Sequence, residues 1–171
     1  MSINFHKCSI HNLKELQHIS KETFIDAFEK QNNPHDFWEY VNHAFSEDAL
    51  SKQLAQEGTA FYFAYSNNSL VGYFKINTGN AQSDVKDPNS LELERIYVQK
   101  THQGKQFGAR MLEEAVYIAK EMGLTYLWLG VWEHNTAAIR FYERFGFKKF
   151  GEHPYIIGND VQTDWLMKLS L

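Results

Sequence analysis

Long apolar runs, a partner for cysteine and a surplus of basic residues are all missing from this 171-residue chain. Its most apolar stretch, "YLWLGVW" from Tyr126 to Trp132, falls well short of the ~20 residues that a membrane-crossing helix needs. The opening, "MSINFHKCSIHNLKEL", lacks the basic-then-apolar pattern of a secretory leader, so export is not expected. A lone cysteine, Cys8, cannot close an internal disulfide and suits a reducing compartment. Lys and Arg number 17 against 21 Asp and Glu, a net charge of −4, which leaves nothing to hold a nucleic-acid backbone. Repeats and low-complexity tracts are absent as well. The expectation is a cytoplasmic protein with neither nucleic acid nor membrane as partner, and a homodimer is left open.

What is present argues for one folded unit. An apolar fraction of 43%, with 13 Phe, 9 Tyr and 4 Trp, fills a sizeable core and excludes disorder. At this length a single domain spanning 1–171 is expected. Leu13, Leu16, Ile19, Phe24, Ala27 and Phe28 recur at helical spacing. Pro34 divides this helix from "HDFWEYVNHAF", and "SEDALSKQLAQEG" follows with Ser46 as cap and Gly58 as stop. Strands over 60–65 and 69–77 flank Asn67-Asn68-Ser69, a hairpin signature. A turn-rich segment, 79–90, is expected to be a mobile loop. Then come a strand over 91–98, a glycine-containing turn, a helix over 107–122 and a buried strand over 125–132. A helix over 135–145 precedes two final strands that turn near Gly158-Asn159-Asp160. This order predicts an α+β fold with a mixed sheet, and a right-handed parallel strand–helix–strand unit at its centre.

Two stretches carry chemistry. In "LELERIYVQKTHQGKQFGARMLEEA" a strand runs through a glycine turn into a helix. A helix start leaves about four N–H groups unpaired and carries about half a positive charge, which suits a pyrophosphate. Gly104 and Gly108 would let the backbone approach that anion. The spacing matches neither a P-loop nor a dinucleotide fingerprint. In "WLGVWEHNTAAIRFYERFGF" Asn135 can cap a helix that carries Tyr142 two turns later on the same face.

Together these stretches resemble the acetyl-CoA-binding core of the GNAT superfamily of N-acetyltransferases. The signature [QR]-x-x-G-x-[GA] falls on Gln103 to Gly108, and N-x-x-A-x-x-x-Y-x-x-x-G-F is matched by Asn135, Ala138, Tyr142, Gly146 and Phe147. One position departs: Gln106 stands where glycine is expected, and a positive φ there would cost on the order of 1 kcal/mol. Within the superfamily, "ETFIDAFEKQN", "LELERIYV", "LGVWEHN" and "QTDWLM" look most like the Pai-type bacterial spermidine/spermine N-acetyltransferases. The resemblance implies an acyl-CoA N-acyltransferase fold, a mostly antiparallel sheet flanked by helices. It also implies direct acetyl transfer from acetyl-CoA to an amine. Ile96, Tyr97 and Val98 would pair with the pantetheine arm. Gln103, Gly104, Lys105, Gln106, Phe107, Gly108 and Ala109, with Asn135, Tyr142 and Arg144, complete the cofactor contacts it suggests.

An alkyl ammonium must lose a proton before it attacks, at about 4.6 kcal/mol at pH 7, so a carboxylate base is expected. Glu92 and Glu94 are the candidates, and the resemblance favours Glu92, whose distance from Val98 is similar to that of the family's base, with Glu94 close behind; their alternative is a pair of solvated charges. Tyr142 is expected to hydrogen-bond the departing thiolate. Among the acidic residues that could line an acceptor groove are Glu22, Asp26, Glu29, Asp84, Glu133 and Asp164. The eight histidines show no paired metal spacing, and no metal is expected. Three functions fit: acetylation of a small amine such as spermidine, acetylation of a peptide or protein amine, and acetyl-CoA sensing with little turnover.

Overall fold

A computed structural model describes residues 2–171. The chain runs β1 (Asn4–Lys7), α1 (Leu13–Phe28), α2 (Pro34–Ala44), α3 (Glu47–Ala55), β2 (Thr59–Ser66), β3 (Ser69–Thr78) and β4 (Ser90–Val98). It continues with α4 (Phe107–Glu121), β5 (Tyr126–Trp132), α5 (Thr136–Arg144), β6 (Lys148–Ile157) and β7 (Asp160–Ser170). The seven strands form one sheet in the order β1-β2-β3-β4-β5-β7-β6. Every pairing is antiparallel except β4 with β5. The expected parallel strand–helix–strand unit is β4-α4-β5. Among the described residues no helix is long and apolar enough to cross a membrane.

Local chemistry explains the boundaries. Asn67 and Asn68 both take positive φ, 50° and 63°, as a two-residue hairpin turn requires. Ser46 caps α3 by accepting from the Ala49 N–H at 3.1 Å, and Asn33 caps α2 ahead of Pro34 at its first turn. The two faces of the sheet carry separate cores. Leu16, Ile19 and Leu50 from α1 and α3 pack on Phe61, Phe63 and Tyr73. On the opposite face Met111, Leu112 and Ala115 of α4 and Ile139 of α5 pack on Leu91, Leu93, Leu127 and Leu129. Each large side chain buried there contributes about 2 kcal/mol.

Two irregularities break the regularity of the sheet at its centre. The β4–β5 pairing ends after three residue pairs, the last being Glu92 with Trp128, so the two strands splay apart beyond it. In β4 the register against β3 jumps from Leu93–Ile76 to Arg95–Lys75, which makes Glu94 the extra residue of a bulge.

The turn-rich 79–90 segment, expected to be a mobile loop, is instead tied across the face that carries α1, and its last residue, Ser90, already belongs to β4. Gln82 accepts from Trp128 Nε1 on β5 at 2.7 Å and from the Ser90 hydroxyl at 2.8 Å. The Ser83 N–H donates to Glu92 at 2.8 Å, and Asp84 reaches His153 on β6 at 2.8 Å. A turn-rich composition says that a segment leaves regular structure, whereas its anchoring depends on strands remote in sequence.

Candidate active site

The splay between β4 and β5 opens into a cleft of about 930 Å³. On one side it reaches the start of α4, where Gly104 and Gln106 take φ of 77° and 64°. Gln106 is the N-cap, left-handed at ψ 13°, and no side chain caps the helix. The first N–H groups of α4 therefore open to the cleft, as anion binding requires. A Cβ added at Gly104 would meet nothing within 4 Å, so the loop is open where an anion would approach. The chain thus holds at Gln106 the conformation that glycine would supply, at the anticipated cost. Beyond Glu92, the edge of β4 that faces the splay has no strand partner among the described residues, which leaves Ile96 and Val98 free to pair with an extended ligand arm.

Ile96, Tyr97, Val98, Gln103, Gly104, Gln106, Phe107, Gly108, Ala109, Asn135, Tyr142 and Arg144 all line the cleft. Lys105 does not: it follows the turn outward and is exposed. Asn135 caps α5 by accepting from the Ala138 N–H at 3.3 Å. Tyr142 lies toward the far end of α5, its ring packed on Phe141 and Phe147 at 5.3 and 5.6 Å. Among the described residues its hydroxyl has no hydrogen-bond partner, and burial pushes its pKa up, so the phenol stays protonated.

The two glutamates part company. Glu92 is buried outside the cleft, under the 79–89 segment, where it accepts from Ser83 and from Asn77 Nδ2 at 2.9 Å. Burial, then the neighbouring Glu94 charge, pushes its carboxyl up. The preference for Glu92 therefore meets a geometric obstacle: its oxygens are committed to a structural loop. The bulge leaves Glu94 on the cleft wall, ion-paired to Lys75 and accepting from Asn77 Nδ2 at 2.7 Å. Burial works to raise Glu94, but the charges of Lys75 and Arg95 outweigh it and hold the carboxyl below its usual range.

On the face that carries α1, aromatic side chains of Phe24, Phe28, Tyr40 and Tyr155 line the same cleft. The hydroxyls of Tyr40 and Tyr155 lie 2.5 Å apart. Of the other acidic residues considered, only Asp164 lines the cleft; Glu22, Asp26, Glu29 and Glu133 do not, and Asp84 lies behind it.

The chain matches the family profile "Acetyltransferase (GNAT) family" over residues 13–147. It is a member of the GNAT family. An uncharacterized N-acetyltransferase from Lactobacillus delbrueckii subsp. lactis is 41% identical over 160 residues, covering 94% of this chain and 92% of the relative. PaiA N-acetyltransferase from Thermoplasma acidophilum, solved in complex with coenzyme A, shares the fold at a TM-score of 0.79 and 22% identity, with all of both chains covered. The spermine/spermidine N(1)-acetyltransferase of Bacillus subtilis is 29% identical over 89 residues, covering 52% of this chain and 59% of that protein. This GNAT chain is accordingly an N-acetyltransferase with acetyl-CoA as co-substrate, and the uncapped α4 start and the open splay fit that molecule.

Sequence reasoning missed Asn77, which bridges Glu92 and Glu94, and Arg95, buried with its guanidinium 4.8 Å from the Phe45 ring. Asn77 lies in no motif, and Arg95 lies inside a family-like stretch without a role of its own there. The one visible cue was "LERIYV", in which an arginine sits inside an apolar strand.

Proposed function

We propose that this enzyme acetylates a primary amine of a small cationic acceptor, of which a polyamine such as spermidine or spermine is the favoured example. The observation that carries this reading is the single continuous cleft, in which the start of α4 and Tyr142 share one cavity with Glu94, Asp164 and four aromatic faces. Carboxylates attract an ammonium group, and aromatic faces add cation–π attraction. The names of the Bacillus spermine acetyltransferases support the polyamine class over about half of this chain.

In this reading the acceptor nitrogen attacks the thioester carbonyl directly as the carbon–sulfur bond breaks. The amides at the start of α4 hold the pyrophosphate, and the free edge of β4 aligns the pantetheine arm. The Tyr142 hydroxyl donates a hydrogen bond to the sulfur as it gains charge. A phenol held protonated by burial stabilises the thiolate without giving up its proton. Glu94, ionised by its pairing with Lys75, draws the ammonium into the cleft from the β4 wall.

The acceptor is tested by following free thiol from acetyl-CoA with spermidine, spermine, a simple alkyl monoamine and a peptide with a free amino terminus. Polyamines are expected to give the highest kcat/KM. A peptide preferred over both polyamines would overturn the small-amine reading, and thiol release with none of the four would remove this acceptor class altogether.

A further inference from the structure

Neither glutamate accounts for deprotonation of the acceptor. Glu92 is sealed under the 79–89 segment, and Glu94 is held as an ion pair by Lys75. Glu92 does not reach the cleft, and the charges of Lys75 and Arg95 hold the Glu94 carboxyl down. Asp164 differs on both counts. It lies on β7 opposite Trp132 of β5 and His153 of β6, and it lines the cleft. It is only 9% exposed, yet among the described residues its carboxylate accepts no hydrogen bond. The nearest cation-forming atom is His153 Nε2 at 3.8 Å. His153 in turn is fixed by Asp84, whose Oδ2 lies 2.8 Å from Nδ1 and whose side chain is 45% exposed. An ionised Asp84 can only accept, so it draws the ring proton to Nδ1 and turns the Nε2 lone pair toward Asp164.

Two features of β5 aim this array at the reaction. Gly130 makes the room: a Cβ there would stand 3.3 Å from Asp164 Oδ2 and 3.7 Å from His153 Nε2. Gly130 also lies two residues beyond Trp128, as Glu94 lies two beyond Glu92, the last pair before the splay. Asp164 of β7 therefore reaches over Gly130 of β5 to line the same cleft that Glu94 lines from β4.

We propose, resting on the small-amine reading, that Asp164 takes the proton from the acceptor ammonium and passes it through His153 to solvent beside Asp84. One ammonium proton moves to an Asp164 oxygen. The freed lone pair forms the C–N bond as the C–S bond breaks, and the second nitrogen proton goes to the departing thiolate. Asp164 regains its charge by giving its proton to His153 Nε2, while the Nδ1 proton leaves toward Asp84 and water. Around Asp164 the titratable side chains are His153 from β6, Asp84 from the 79–89 segment and Glu94 across the cleft; β5 presents Gly130 and Trp132. Burial holds the Asp164 carboxyl up at about 6, against a downward pull from His153, which suits a base working near neutral pH.

The test is the pH profile of kcat/KM for spermidine, measured for the wild type, Asp164→Asn, His153→Gln and Glu94→Gln with acetyl-CoA affinity as a control. The wild type is expected to lose activity on acidification with a midpoint near 6. Asp164→Asn should lower kcat about a hundredfold and abolish that limb, with acetyl-CoA affinity and melting temperature not reduced. His153→Gln should cost about tenfold and displace the limb, a readout that a merely structural histidine would not move. Glu94→Gln should raise KM for spermidine and keep the limb. Asp164→Asn with at least half the wild-type kcat and an intact limb would overturn the proposal. If that variant misfolds, an unmoved limb in His153→Gln would overturn it instead. A wild type inactive with every amine would overturn the small-amine reading, and this proposal with it.

Discussion

Replacing Tyr142 with phenylalanine deletes one hydroxyl and leaves the ring's packing on Phe141 and Phe147 in place. Because the wild-type hydroxyl bonds nothing among the described residues, its loss orphans no partner there and should leave stability nearly unchanged. Its contribution would arise only as charge builds on the sulfur, so kcat should fall about tenfold or more with the acetyl-CoA dissociation constant unaltered. Thiol-release kinetics and calorimetric titration read the two quantities separately, and an unchanged kcat would take Tyr142 out of the chemistry. The same scale explains Gln106. Sequence showed a residue with a Cβ where the motif wants glycine, and the structure shows it in the left-handed region all the same. The local cost is small beside the packing that holds α4 in place, so this departure from the motif is no argument for a sensor without turnover.

At the scale of elements, the site is made by two failures of regular pairing. The splay of β4 from β5 exposes a strand edge, and the bulge at Glu94 turns one carboxylate toward the cleft while its neighbour stays under a loop. The alternation of "LELERIYV" puts Glu92 and Glu94 on one face, and no count of residues separates them further. What separates them is the 79–89 segment, held chiefly by Gln82, which is 2% exposed. Its side chain serves Trp128, Ser90 and the carbonyls of Gly79 and Asp87. Gln82→Ala would leave the buried Trp128 indole N–H without its acceptor and remove the side-chain bonds to Ser90, Gly79 and Asp87, and should destabilise the fold by about 3 kcal/mol in urea titration. A loss under about 1 kcal/mol would show that the segment is not anchored through this residue.

For the whole molecule, Asp164 couples function to stability. Its carboxyl is raised from 3.8 to about 6 on folding, first by burial. An acid whose pKa is higher when folded costs nothing below the unfolded value. Its penalty grows as pH rises from about 4 to 6 and is complete above that. Asp164→Asn should therefore stabilise the protein at pH 7 by up to about 3 kcal/mol, the shift converted at 1.36 kcal/mol per pH unit. The gain should shrink toward zero near pH 4. Urea unfolding at both values checks it, and an asparagine variant less stable than the wild type at pH 7 would contradict the burial penalty. A buried carboxylate kept at such a cost is what a working site retains.

The sequence by itself determined the order of elements, the hairpin turn at Asn67-Asn68, the cofactor motifs and the family, because these depend on neighbours along the chain. Periodicity, caps and the spacing of Gly104, Asn135 and Tyr142 are all local. The tertiary structure alone decided which carboxylates face the cleft, that the 79–89 segment is pinned, and that Asp84, His153 and Asp164 meet. Those outcomes depend on a bulge, a splay and contacts between residues as much as 69 positions apart, whose energies no short window of sequence contains.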